Sequence, residues 1–203
     1  MATIIHMRKN FLFLSLLLLI AAKLSAQNLS VVVNYTTTPR LSDKSLIFYD
    51  ANRKLNWTDF RGAPDANVVA AAQTDAGFGY NSSYSYADGK GTLTITVYCD
   101  FNKNTSWFKP EGKNDYILKH EQHHFDIAYL CTMQFIDRLR KGTYTTTNYH
   151  QLIGSAYKEC ATTLNAMQNQ YDNETQHGII KDKQQEWNDK IEKQLAALNT
   201  SEQ

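Results

Sequence analysis

Lys119-His120-Glu121-Gln122-His123-His124-Phe125-Asp126 is the stretch around which the rest of the chain is arranged. It contains the pattern His-Glu-x-x-His as His120, Glu121 and His124. Four residues make roughly one turn of helix, so a helix stacks the two imidazoles on one face. Two neutral imidazoles at that spacing can share one Zn²⁺, and the adjacent carboxylate is placed to take a proton from a water held there. His120, Glu121 and His124 are therefore read as two metal ligands and a general base.

The neighbours say where such a helix sits. At about 100° per residue, His124 falls about 40° and Glu121 about 100° from His120. Ile117, Ile127, Cys131 and Phe135 cluster on the histidine side, and Leu118, Phe125, Tyr129 and Ile136 form a second apolar stripe. A helix apolar on two sides is a central one. Two histidines and a glutamate inside an apolar face need a partner, and a metal supplies it. Lys119, Asp126 and Asp137 share a narrow polar stripe, which reads as solvated charge or salt bridges. His123 reads as a bystander at the edge of the site.

Working outward, Asn114 or Asp115 can cap this helix, which runs to about Lys141 and is stopped by Gly142. A second helix is predicted from about Thr147 to Tyr171, a loop over Asp172 to Gly178, and a last helix from Lys181 to Leu198. Upstream the text is extended. Residues 28–36 and 45–49 are rich in β-branched and aromatic residues, and Asp88-Gly89 marks a hairpin between Tyr84-Ser85-Tyr86 and the alternating run 92–98. Gly62 and Pro64 mark a turn that Trp57 and Phe60 pin to the core. Strands first and helices after predict an α+β fold: an N-terminal antiparallel sheet packed on a central zinc-site helix, a second long helix and a C-terminal helix.

A catalytic zinc usually has three protein ligands and one open position. If Arg140 lies level with Thr147 across the helical hairpin, residue 163 faces His124 and residue 167 faces His120. His177 in the following loop can fold back over the site and ranks first as third ligand. Glu159 on the second helix ranks second and Asp172 third. His150, at the far end of the hairpin, is a poor candidate.

Composition bounds the setting. The 203 residues suit one domain. Arg8 and Lys9 precede an apolar run from Phe11 to Ala22, and Leu24-Ser25-Ala26 offers a small-residue cleavage site. That predicts a signal peptide over residues 1–26, export through the Sec route to the periplasm or the medium, and a mature domain over 27–203. The run is too short for a spanning helix. Losing Arg8, Lys9 and Lys23 from 21 basic residues leaves 18 against 20 acidic ones. No basic patch points to nucleic acid, and no second apolar run points to a membrane. Cys99, Cys131 and Cys160 form no Cys-x-x-Cys pair, so they are read as one disulfide with a spare thiol or as three small buried residues.

Several segments taken together resemble a known family. They are Trp57-Thr58-Asp59-Phe60-Arg61-Gly62, Ala72-Gln73-Thr74, Ser106-Trp107, and His120 through Ile127. Tyr171-Asp172-Asn173-Glu174-Thr175-Gln176-His177-Gly178 and Gln184-Gln185-Glu186-Trp187 complete the set. In this order they resemble the bacterial secreted family called domain of unknown function 922, whose members are regarded as zinc-dependent, zincin-like proteases. The resemblance implies a metallopeptidase acting on peptide or protein substrates and adds weight to His177. In that reading Glu121 is the base, the run 92–98 is the edge strand for the substrate, and Tyr171 is considered for the oxyanion. The alternative is a non-catalytic exported module with a closed structural zinc site.

Overall fold

The computed structural model of the chain describes residues 28–39 and 43–201. The signal peptide expected over residues 1–26 lies outside them. Among these residues six strands precede three α-helices: β1 (Ser30–Tyr35), β2 (Leu46–Phe48), β3 (Ala72–Gln73), β4 (Ala76–Ala87), β5 (Lys90–Asn102) and β6 (Trp107–Phe108), then α1 (Asp115–Arg140), α2 (Tyr149–Thr175) and α3 (Lys181–Ser201). The α+β class holds; α1 and α3 lie close to their predicted spans, and α2 continues one turn past Tyr171.

The four-stranded sheet is mixed. β4 and β2 run antiparallel to β5, whereas β1 runs parallel to it, Ser30 opposite Thr92 and Tyr35 opposite Val97. β5 is therefore the centre of the sheet, and residues 92–98 are not an edge. The β4–β5 hairpin turns at Asp88 (φ 51°) and Gly89 (φ 76°). That is the pair of left-handed residues a two-residue hairpin turn requires, and Asp-Gly supplies it cheaply.

Alternation along β5 fixes which face is covered. Leu93, Ile95, Val97, Cys99 and Phe101 are fully buried, and the residues between them are half-buried. α1 packs onto that face through Phe125, Ile127, Ala128, Phe135 and Leu139. Each of the larger side chains among them contributes about 1.5–3 kcal/mol on burial. α2 adds Ile153, Ala156 and Leu164, and α3 adds Trp187 and Ile191, so α1 is enclosed on several sides as its two apolar stripes predict. Asn114 caps it, its side-chain oxygen accepting from the Ile117 amide at 2.9 Å. Cys99, Cys131 and Cys160 are all buried and free. No helix among the described residues is long and apolar enough to cross a membrane.

A second, two-stranded sheet pairs β3 with β6. It matters for position: Thr74, next after β3, donates its hydroxyl to the Glu121 carbonyl at 3.2 Å. Thr74 thus ties the end of the short strand β3 to the turn of α1 that carries Glu121.

Candidate metal centre

His120 and His124 project from the second and third turns of α1 and are 2% and 7% exposed. Their Nε2 atoms lie 3.2 Å apart. Between them comes one oxygen from α2: Asp172 Oδ1 is 3.2 Å from His120 Nε2 and 3.0 Å from His124 Nε2. These three groups can hold a metal ion.

The second ring nitrogens show how the imidazoles are oriented. His120 Nδ1 meets Gln184 Oε1 of α3 at 2.8 Å, and His124 Nδ1 meets Gln168 Oε1 of α2. Both amides are fixed by what their nitrogens do. Gln184 Nε2 donates to Tyr171 Oη (2.6 Å) and Asn188 Oδ1 (2.8 Å), and Gln168 Nε2 donates to the His124 carbonyl (2.9 Å). Each glutamine oxygen is thus the acceptor, Nδ1 carries the proton, and Nε2 presents a lone pair. Ligating histidines are held in this way in metal sites. Tyr171 stacks on the His120 ring with centroids 4.5 Å apart, and its hydroxyl donates to the His120 carbonyl at 3.3 Å. It is fully buried and engaged, so it has no hydroxyl to offer an oxyanion.

Two lone pairs and a carboxylate oxygen this close repel unless a cation or a proton lies among them. Bond lengths near 2.0–2.1 Å at a tetrahedral ion put neighbouring ligands about 3.3 Å apart, close to the separations seen here. Two imidazoles and one carboxylate are also a donor set that zinc takes. Without the ion, the group shares protons. Burial disfavours a charged His124, but the bond and charge of Asp172 outweigh it and push the imidazole up to about 9. Burial likewise opposes the Asp172 charge, and the two histidines more than offset it, holding the carboxyl well below its ordinary range.

Glu121 lies beside this group, 2% exposed, with Oε2 buried and lacking any hydrogen-bond partner. A buried, unpartnered carboxylate oxygen is costly and needs a reason. His123 turns away and meets Asp126 Oδ2 through Nδ1 at 2.9 Å.

α2 runs to Thr175, so Asp172 stands in its last turn and not in a loop. The chain leaves the helix through three left-handed residues, Gln176 (φ 47°), His177 (φ 52°) and Gly178 (φ 82°). Thr175 Oγ1 accepts from the Gly178 amide at 3.2 Å, and Tyr116 Oη donates to the Gly178 carbonyl at 2.7 Å. A Cβ on Gly178 would stand 3.6 Å from the His120 ring, so the turn lies directly over that histidine. This turn places His177 Nδ1 3.3 Å from Asp172 Oδ1, and its ring is 46% exposed. His177 thus reaches the group through Asp172, from the solvent side. Non-glycine residues held in the left-handed region concentrate at functional sites. Glu159 is elsewhere, exposed and paired with Arg138. No local pattern in the sequence marks Gln168 or Gln184. Each is a single polar residue on an amphipathic helix, and only the helix register makes it an orienting group.

The fold and the site together define an α+β protein whose His-Glu-x-x-His helix meets a carboxylate from α2 in a group that can hold a metal ion. The chain belongs to the family described as bacterial protein of unknown function (DUF922), whose model matches residues 49–178. That span holds His120, Glu121, His124, Gln168, Asp172 and His177 and stops before α3. Comparison with curated proteins and with solved structures gives no match.

Proposed function

We propose that this protein is a zinc-dependent hydrolase of peptide bonds, with His120, His124 and Asp172 holding the ion and Glu121 as its general base. The observation that carries this reading is the pairing of a converged ligand set with a buried, unpartnered Glu121 Oε2 on the adjacent residue. Zinc, when bound, supplies Lewis-acid polarisation of a carbonyl and of a water. Glu121 Oε2 takes the proton of the attacking water and hands it to the leaving amine. Gln168 and Gln184 keep both Nε2 lone pairs aimed at the ion. Three protein ligands leave one position open, which suits catalysis better than a closed structural site. His177, on the exposed side of Asp172, would be placed to donate to a substrate oxygen. Export to the periplasm or the medium, through the leader expected over residues 1–26, belongs to the same reading.

The test uses purified protein loaded with zinc and a mixed peptide library read by mass spectrometry. The parent cleaves. Glu121→Gln retains one zinc per chain and loses about 10²–10⁴-fold in rate, the usual weight of a positioned base. Equal cleavage by both proteins removes Glu121 from this role. A zinc-loaded parent that cleaves nothing returns the chain to the non-catalytic alternative.

A further inference from the structure

The twelve residues of β4, Ala76–Ala87, include no charge and no proline, although Asp75 and Asp88 stand at its two ends. The strand pairs with β5 along its whole length in one unbroken register, and no other described strand lies on its far side.

The ladder shows which groups that far edge presents. The Asn102 amide donates to the Asp75 carbonyl at 2.8 Å. Asp75 and every second residue after it therefore turn their backbone groups toward β5, and the even-numbered residues turn theirs outward. Tyr157 Oη of α2 reaches the outward carbonyl of Phe78 at 3.3 Å. Tyr80 still packs on Tyr157, and past it Asn81 through Ala87 are all exposed. Ser82, Tyr84 and Tyr86 are left with outward N–H and C=O groups. Tyr84 is 44% and Tyr86 57% exposed, their rings on the sheet face that carries Phe78. Proteins that stay monomeric guard such an edge with lysine, proline or a bulge. This edge has none of them.

We propose that β4 is a dimer edge: two copies pair Ser82–Tyr86 antiparallel about a two-fold axis through Tyr84, joining their sheets into one. Charge identifies the occupant. In a two-fold pairing the strand meets itself, so any charge on it faces its own copy at short range, and like charges directly opposite are destabilising. A strand free of charge over twelve residues, in a chain that is 20% charged, has nothing to repel its copy. The register agrees. Centring on Tyr84 sets it opposite itself and Ser82 opposite Tyr86, so outward groups meet outward groups, and the exposed tyrosines come together on one face. A substrate strand fits this edge poorly. Phe78 and Tyr80, where the exposed run begins, pack on Phe135 and Tyr157. Phe135 lies about three helical turns, roughly 16 Å, along α1 from His124.

Analytical ultracentrifugation of the purified protein across a dilution series, with amide hydrogen exchange, tests the pairing. The expected result is a dimer in which the Tyr84 and Tyr86 amides exchange slowly. Tyr84→Lys gives a monomer in which they exchange fast, while the Ser83 and Ser85 amides, bonded to β5, stay slow. A parent that is monomeric at every concentration overturns the proposal, and so does a dimer whose Tyr84 amide exchanges fast. If Tyr84→Lys fails to fold, the mass and exchange pattern of the parent decide alone. Chelation of metal leaves the association unchanged, so its outcome is separate from that of the peptidase test.

Discussion

Gln184 decides which nitrogen of His120 faces His124 and Asp172. Its Oε1 takes the Nδ1 proton, and its Nε2 is committed to Tyr171 Oη and Asn188 Oδ1, so the amide cannot flip without losing both. Leucine fills nearly the same volume and removes that acceptor. Gln184→Leu is expected to weaken zinc binding by about 10–100-fold, the usual cost of losing an orienting partner. Competition against a chromophoric chelator measures it, and an unchanged affinity removes the glutamine from this role. The residue scale is also where the sequence was most and least informative. His120, Glu121 and His124 were legible because their spacing alone puts them on one helix face. Asp172 ranks only third from the sequence because a hairpin level at Arg140 and Thr147 sets the two helices one turn out of step. His124 meets Gln168 and not residue 163, and His120 meets Tyr171 and not residue 167. Periodicity gives the face of a helix but not its slide along a neighbour, and a slide of just over one turn brought Asp172 into the site.

The same limit shows along α1 as an element. Lys119, Asp126 and Asp137 share one stripe in projection, yet they lie at different depths. Lys119 pairs with Glu192 at 2.9 Å, both about half exposed, and Asp137 pairs with Lys141 in the open. Asp126 is 1% exposed. It accepts from Tyr49 Oη, Gln122 Nε2 and His123 Nδ1, each at 2.9 Å. Burial opposes its charge, but His123, Lys54 and Gln122 outweigh that and hold the carboxyl below its ordinary range. The sequence suggested a solvated carboxylate here, because the covering residue Tyr49 lies 77 positions away and leaves no local trace. Asp126→Ala strands three buried donors and is expected to cost about 3 kcal/mol. Lys119→Ala, on the same stripe, is expected to cost less than about 1 kcal/mol. Urea unfolding of the two variants checks the contrast, and equal losses would mean that depth does not separate them.

Across the whole molecule, the parallel pairing of β1 is what local signals could not announce. Asp88-Gly89 encodes the β4–β5 hairpin in two residues, whereas Ser30 and Thr92 meet across some sixty residues of chain. That topology makes β5 a central strand, and one of its residues, Asp100, gives the fold a term that depends on mild acid. Asp100 stands on the outer face of β5 opposite Gly77. Partial burial, and then the charge of Asp75, push its carboxyl up to about 6 from an ordinary 3.8. Between those values the folded chain keeps a proton that the unfolded chain has released, so this group's contribution falls as pH rises through the window. Its penalty is complete above about pH 6 and absent below the ordinary value. Asp126 and Asp172, with depressed carboxyls, act in the opposite direction, so the parent's total profile alone does not isolate Asp100. The difference between parent and Asp100→Asn does, because the other groups cancel. Asparagine keeps the shape and removes the charge, so the variant is expected to be more stable than the parent at pH 7 and equal to it near pH 4. Urea midpoints of both proteins at the two values, with metal chelated, give the answer. A gap that stays constant with pH would mean that Asp100 titrates as it does in the unfolded chain.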